Sequence, residues 1–259
     1  MKTKFILSFI AALFMQFTTV SADNYTDGVT KLMNNEVIAT LNEKMFEKYS
    51  QLPNVNGDYL KTQFKTDAVE WLAASYRKNM SEKDFNEMVS FFMQPEVMNI
   101  QKKVIEASAN QDAIQQTLMP QMQAIAMGGT PEDLKMPECD PQLKKELVRW
   151  LEINGTPEAT RSALSAAKSL AADMTPANIS DEQKAMMMKV MESLTSYMEK
   201  NITAILLTGM VGKVEFKDLQ TLNAIEKKPF FASYQKANHS LANDMSSFMS
   251  KVFKGLKKN

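Results

Sequence analysis

Three times in this chain a capping residue is followed by proline and then by an acid or an amide: Thr130-Pro131-Glu132, Asp140-Pro141-Gln142 and Thr156-Pro157-Glu158. The threonine or aspartate oxygen can accept from the unpaired backbone amides that open a helix. Proline in the first turn gives up an N–H that has no partner there. Ser81-Glu82-Lys83-Asp84 and Ser180-Asp181-Glu182-Gln183 resemble capping boxes, the second more closely because Gln183 can reach back to the serine amide. Helix formers dominate between these marks, and the 259 residues include only 8 glycines and 9 prolines. No stretch keeps the two-residue alternation that a half-buried strand needs. The chain is predicted to be all-α, a multi-helix bundle.

Apolar spacing places helices near residues 26–50, 58–79, 81–93, 95–118, 141–153, 157–172, 180–208 and 215–254, with ends uncertain by ~2–4 residues. The last breaks near Pro229, because proline removes a donor and crowds the preceding turn. Asn154-Gly155 and Gly209 are the expected C-terminal stops. Residues 128–141, which begin Gly128-Gly129-Thr130-Pro131, are the least regular. They separate an N-terminal helical half (23–127) from a C-terminal one (140–259), and the two halves are loosely related. Met80–Lys102 and Val211–Lys236 each read as a short helix, a proline break and a second helix. Phe85 aligns with Phe216, Met88 with Leu219 and Phe91 with Leu222. Pro95 and Pro229 match after an insertion, and the copies end in Gln101-Lys102 and Gln235-Lys236.

The first copy carries a family resemblance. Met80-Ser81-Glu82-Lys83-Asp84-Phe85-Asn86-Glu87-Met88-Val89-Ser90-Phe91-Phe92-Met93-Gln94-Pro95 has a capping serine, acids, a hydrophobic stripe, an aromatic pair and then proline. It resembles the core of the bacterial family called domain of unknown function 2059, over residues 60–110 and, in degenerate form, 195–245. Glu96, Val97 and Met98 stand where that family usually has a glycine. The resemblance implies an exported helical bacterial protein and supplies no catalytic residues.

The N-terminus points the same way. Lys2 and Lys4 precede an uncharged, mostly apolar run from Phe5 to Phe17, and Val20-Ser21-Ala22 ends on a small residue. This is the pattern of a secretory signal peptide over residues 1–22, cut after Ala22, and it implies a periplasmic or secreted protein. The run is shorter than the ~20 residues a bilayer crossing needs, and no second long apolar run follows, so no transmembrane span is expected. Of 30 basic and 30 acidic residues, the cut removes two basic ones and leaves a slight acid excess. That balance argues against a nucleic-acid binder, which usually carries a basic surplus. Cys139 is the only cysteine and lies between Pro137 and Pro141. It rules out an internal disulfide and leaves pairing between chains open. Six Asn-x-Ser/Thr sequons begin at Asn24, Asn79, Asn154, Asn178, Asn201 and Asn238; a bacterial source argues against their glycosylation.

No constellation reaches a catalytic, cofactor or metal assignment. A single histidine, His239, excludes histidine-pair metal sites. His239-Ser240 with Asp244 is the one triad-like set, and five residues apart on a helix do not share a face. Gly209-Met210-Val211-Gly212-Lys213 falls short of a phosphate loop, which needs four residues between its glycines and Ser or Thr after the lysine. Asp67 and Glu70 sit one turn apart on a helix, as a carboxylate pair for hydrolysis would, and as many solvated helix faces do.

Methionine is the compositional oddity, with 21 in the chain. Met186-Met187-Met188 with Met191, and Met119 with Met122, have spacings a soft Cu(I) site could use, and equally suit an adaptable surface or a core filler. Met187, Met191, Leu194 and Met198 follow a helical stripe. The cleanest stripe is C-terminal: Leu241, Met245, Phe248, Met249, Val252, Phe253 and Leu256, with Lys251, Lys254, Lys257 and Lys258 elsewhere on the helix. Burying those apolar side chains is worth at most roughly 10–20 kcal/mol, and ordering the backbone costs ~16–32 kcal/mol. The helix must therefore dock, either on the protein's own core or, through its lysines, on an anionic membrane surface or a partner.

The function expected from these features is an exported, non-catalytic helical binding or interaction module of the bacterial envelope. Its partner would be another envelope protein or a hydrophobic ligand. The alternatives are a carboxylate-based hydrolase and a carrier of an apolar ligand held between helices.

Overall fold

The computed structural model describes residues 24–33, 56–108, 111–173 and 180–256. The expected signal peptide, residues 34–50 of the first expected helix and the Asn178 sequon lie outside the described residues. Among the described residues, ten α-helices pack into an all-α bundle: α1 (Asn24–Met33), α2 (Phe64–Asn79), α3 (Glu82–Phe92), α4 (Pro95–Ser108), α5 (Gln111–Ala126), α6 (Pro141–Ile153), α7 (Thr156–Asp173), α8 (Asp181–Met210), α9 (Phe216–Asn223) and α10 (Phe231–Leu256). A π-helical turn, Tyr59–Gln63, leads into α2, and a 3-10 turn, Ala224–Lys227, follows α9. No strand occurs among the described residues.

The local marks act where backbone amides need partners. Ser81 Oγ accepts from the Asp84 amide at 3.1 Å and opens α3. Ser180 and Gln183 close a complete reciprocal capping box at the start of α8. Asp140 Oδ1 accepts from the Gln142 amide at 2.8 Å, with Pro141 in the first turn of α6. Gly155 takes φ +62 after α6, a conformation costly for any residue with a Cβ. Its carbonyl accepts from the Ala159 amide, so α7 begins one residue earlier than the Thr156-Pro157 pattern implies.

Three expectations need correction. Thr130-Pro131-Glu132 opens no helix, and residues 129–140 are irregular. Their amides find side chains from distant segments: Glu132 N donates to Gln121 Oε1 at 2.8 Å and Leu134 N to Asn201 Oδ1 at 3.0 Å. Gly209 is not the stop of α8, which runs to Met210; the left-handed turn falls at Gly212, φ +78. The helix expected over 95–118 is instead α4, ending at Ser108, and α5, which continues through an exposed Pro120 to Ala126. On an exposed face, water can meet the carbonyl that proline leaves without a donor.

Both sequence halves feed both of the main cores. The first core gathers Val29, Leu72, Tyr76, Phe85, Met88, Phe92, Leu147, Leu219, Leu222, Phe230 and Tyr234, among others. Helices α3 and α9 each lay a stripe into this core; Phe216, aligned with Phe85 in sequence, is only half-buried. The second core gathers Phe64, Leu118, Ala163, Tyr197, Met198, Met245, Phe248, Met249 and Val252, among others. Helices α2 and α10 run through both in opposite directions. The start of α2 lies in the second core and its end in the first, whereas α10 begins in the first and ends in the second. The described part of the C-terminal stripe is thus buried in the protein's own core, with Met245, Met249 and Val252 at 0 % exposure. The Trp71 ring stacks on Phe248 at 4.4 Å, near parallel.

Candidate functional site

The best-built polar cluster surrounds Asp67, one of the acids singled out by spacing. Tyr59, Gln63 and Asp67 lie four residues apart, which stacks their side chains on one helical face. That face meets the end of α10. Asp67 Oδ2 accepts from the Tyr59 hydroxyl at 2.9 Å, and Oδ1 accepts from Gln63 Nε2 at 3.2 Å and from Lys251 Nζ at 2.9 Å. Main-chain contact reinforces the joint, with Asn56 N donating to Leu256 O at 2.9 Å. Gly255 lets the Tyr59 ring lie directly against α10, and a Cβ there would run into the ring.

Burial pushes the Asp67 carboxyl upward. The hydrogen bonds from Lys251, Gln63 and Tyr59, with the Lys251 charge, outweigh it and hold the group below the ordinary carboxylate range. Tyr59 moves the opposite way: burial first, then donation to the Asp67 carboxylate, raise its phenol well above the usual value. An acid so held is ionised at neutral pH and has both oxygens engaged. It is equipped to fasten α10 to α2, not to deliver a proton. Glu70 is exposed and takes no part, so the Asp67–Glu70 spacing produces no acid pair.

A second ion pair is built similarly. Lys103 Nζ on α4 reaches both Asp218 oxygens, at 3.1 and 2.9 Å, while Asp218 Oδ2 also accepts from the Glu215 amide at the start of α9. Arg149 binds Glu226 with two nitrogens, joining α6 to the 3-10 turn.

The remaining sequence candidates do not converge. His239 and Ser240 are half-buried, Asp244 is exposed, and no hydrogen bond joins the three. Gly209–Lys213 forms the end of α8 and its turn. Among the described residues, no group of three or more His, Cys, Asp or Glu is placed to hold a metal ion. Cys139 is half-buried in the irregular segment. Met122 and Met191 pack on the second core, Met119, Met187 and Met188 are half-buried, and Met186 is 63 % exposed. Several sequon asparagines serve the interior: Asn201 bridges Tyr197 O and the Leu134 amide, Asn154 accepts from the Tyr234 hydroxyl at 2.6 Å, and Asn238 is buried.

Tyr59 and Gln63 were missed in the sequence, and Lys251, expected to face a membrane or a partner, pairs with Asp67 instead. The four-residue spacing of the first two with Asp67 was visible; the lysine, far along the chain, carried no local signal. Compared with protein-family models, curated proteins and solved structures, the chain matches none. No helix among the described residues is long and apolar enough to cross a membrane.

Proposed function

We propose that this chain is an exported, non-catalytic interaction module of a bacterial envelope, and that it receives a partner protein on the N-terminal third of α8. The secretory pattern of residues 1–22 and the family resemblance over residues 60–110 support the compartment. The observation that carries the interaction reading is the surface of α8 itself. From Asp181 to Ser193 no described side chain is buried, and the first buried residue is Leu194. Packing on the second core begins at Val190 and Met191, so the stretch 181–189, roughly 13 Å at 1.5 Å per residue, precedes it. Met186, Met187 and Met188 stand there, unbranched and polarizable, in the manner of adaptable binding surfaces.

The test is site-specific photo-crosslinking in the producing cell. A photoreactive residue in place of Met186 should give an adduct of one defined mass. The same label at Lys213, exposed beyond the other end of α8, should give none. No adduct at position 186, or equal labelling at both, contradicts the proposal.

A further inference from the structure

The half-buried Phe216 is not the counterpart of Phe85, which is fully buried. Shifting the comparison so that the capping positions Ser81 and Glu215 coincide removes the insertion altogether. Lys83 then meets Lys217, Asp84 meets Asp218, Pro95 meets Pro229, and Gln101-Lys102 meets Gln235-Lys236, all identical and all at one constant offset.

Burial follows the same offset. Leu72 and Leu206, Tyr76 and Met210, Phe85 and Leu219, Met88 and Leu222, Ile100 and Tyr234, and Ala107 and Leu241 are each pairs of buried residues. The match continues into α5, where Leu118 falls on Val252 near the end of α10, and both are buried. Any two amphipathic helices can be aligned over a few turns. Keeping one register through a helix end, a cap and a proline break requires equal helix and loop lengths in both places. The match lapses at Phe92, whose counterpart Glu226 pairs instead with Arg149 on α6.

Packing between the two copies is reciprocal. In the first copy α2 leads and α4 and α5 close; in the second the C-terminal part of α8 leads and α10 closes. The leading helix α2 packs on α10, and the leading helix α8 packs on α4 and α5. The short middle helices do likewise, α3 on α10 and α9 on α4. Hydrogen bonds from the matched aspartates repeat the exchange. Ser233 Oγ on α10 donates to Asp84 Oδ2 at 3.0 Å, and Lys103 Nζ on α4 donates to Asp218 Oδ2 at 2.9 Å. A contact of i with j answered by a contact of j with i is the mark of an isologous, twofold interface.

We infer that the chain is a tandem duplication of one helix–short helix–helix unit, and that the docking partner of each copy is the other, as in a dimer fused into one polypeptide. Each copy lays its leading helix on the closing helix of its mate, and both main cores draw on both copies.

Two measurements test this. A recognition sequence for a specific protease, inserted between the exposed Gly129 and Thr130 of the full chain, allows a cut between the copies. The cut protein should elute as one complex with the mass of the intact chain and melt in one cooperative transition. Fragments that elute apart, or two separate transitions, overturn the mutual docking. An experimental structure of the unmodified protein tests the duplication itself. Residues 64–107 should superpose residue for residue on 198–241 by a rotation of about 180°. A best superposition at another offset, or by a rotation far from twofold, overturns it.

Discussion

Helices α8 and α10 are the two longest among the described residues, and they use methionine in opposite ways. On α10, Met245 and Met249 are fully buried in the second core, four residues apart on one face. At the start of α8, Met186, Met187 and Met188 are consecutive. Neighbours on a helix point ~100° apart, so three in a row cannot share one face. One of them, Met186, faces outward, and the helix around it has no described side chain buried before Leu194. The residue type is the same in both places; spacing decides between core and surface.

The comparison is broken most severely at the α10 end. Phe248→Ala removes a ring stacked on Trp71 and packed against Phe64, and should cost about 3–5 kcal/mol, read as a lower urea midpoint. A cost below about 1 kcal/mol would mean that α10 is not packed as described.

Next in size is the Asp67 joint. Asp67→Asn keeps the shape and removes the charge that Lys251 and Tyr59 address, costing about 1–3 kcal/mol, toward the low end because Lys251 is half in solvent. The folded carboxyl lies below its unfolded value of ~3.9, so its stabilisation is complete above that pH and is lost as pH falls through the folded value. The unmodified protein should therefore lose stability below about pH 4 more steeply than the variant. Parallel acid limbs in pH-dependent melts would remove Asp67 from the account.

Smaller effects sharpen the α8 side. Ser180→Ala deletes the capping box and should cost about 1 kcal/mol or less, because the turn it closes is unpacked. Met186→Gln should change the urea midpoint by an amount equivalent to no more than about 0.5 kcal/mol. The same exchange at Met249 should be strongly destabilising. Equal effects at the two positions would erase the distinction.

These expectations separate what the sequence could show from what it could not. The α10 stripe was readable because it depends only on spacing along one helix. The caps at Ser81, Asp140 and Ser180 were readable because each is completed within a few residues. Thr130-Pro131-Glu132 carries the same local signal and fails, because Gln121 and Asn201 supply the partners that a helix would otherwise provide. Asp67 was visible as an acid on a helix. Its role was not, since Lys251 lies at the other end of the chain and meets it only once α2 and α10 run antiparallel.

Amide hydrogen exchange, resolved by residue, compares the two helices most directly. Amides from Leu241 to Val252 should exchange only through global unfolding, whereas those from Ala185 to Ser193 should exchange orders of magnitude faster through local opening. Equal protection in the two segments, or stronger protection at the start of α8, would contradict the packing on which this account rests.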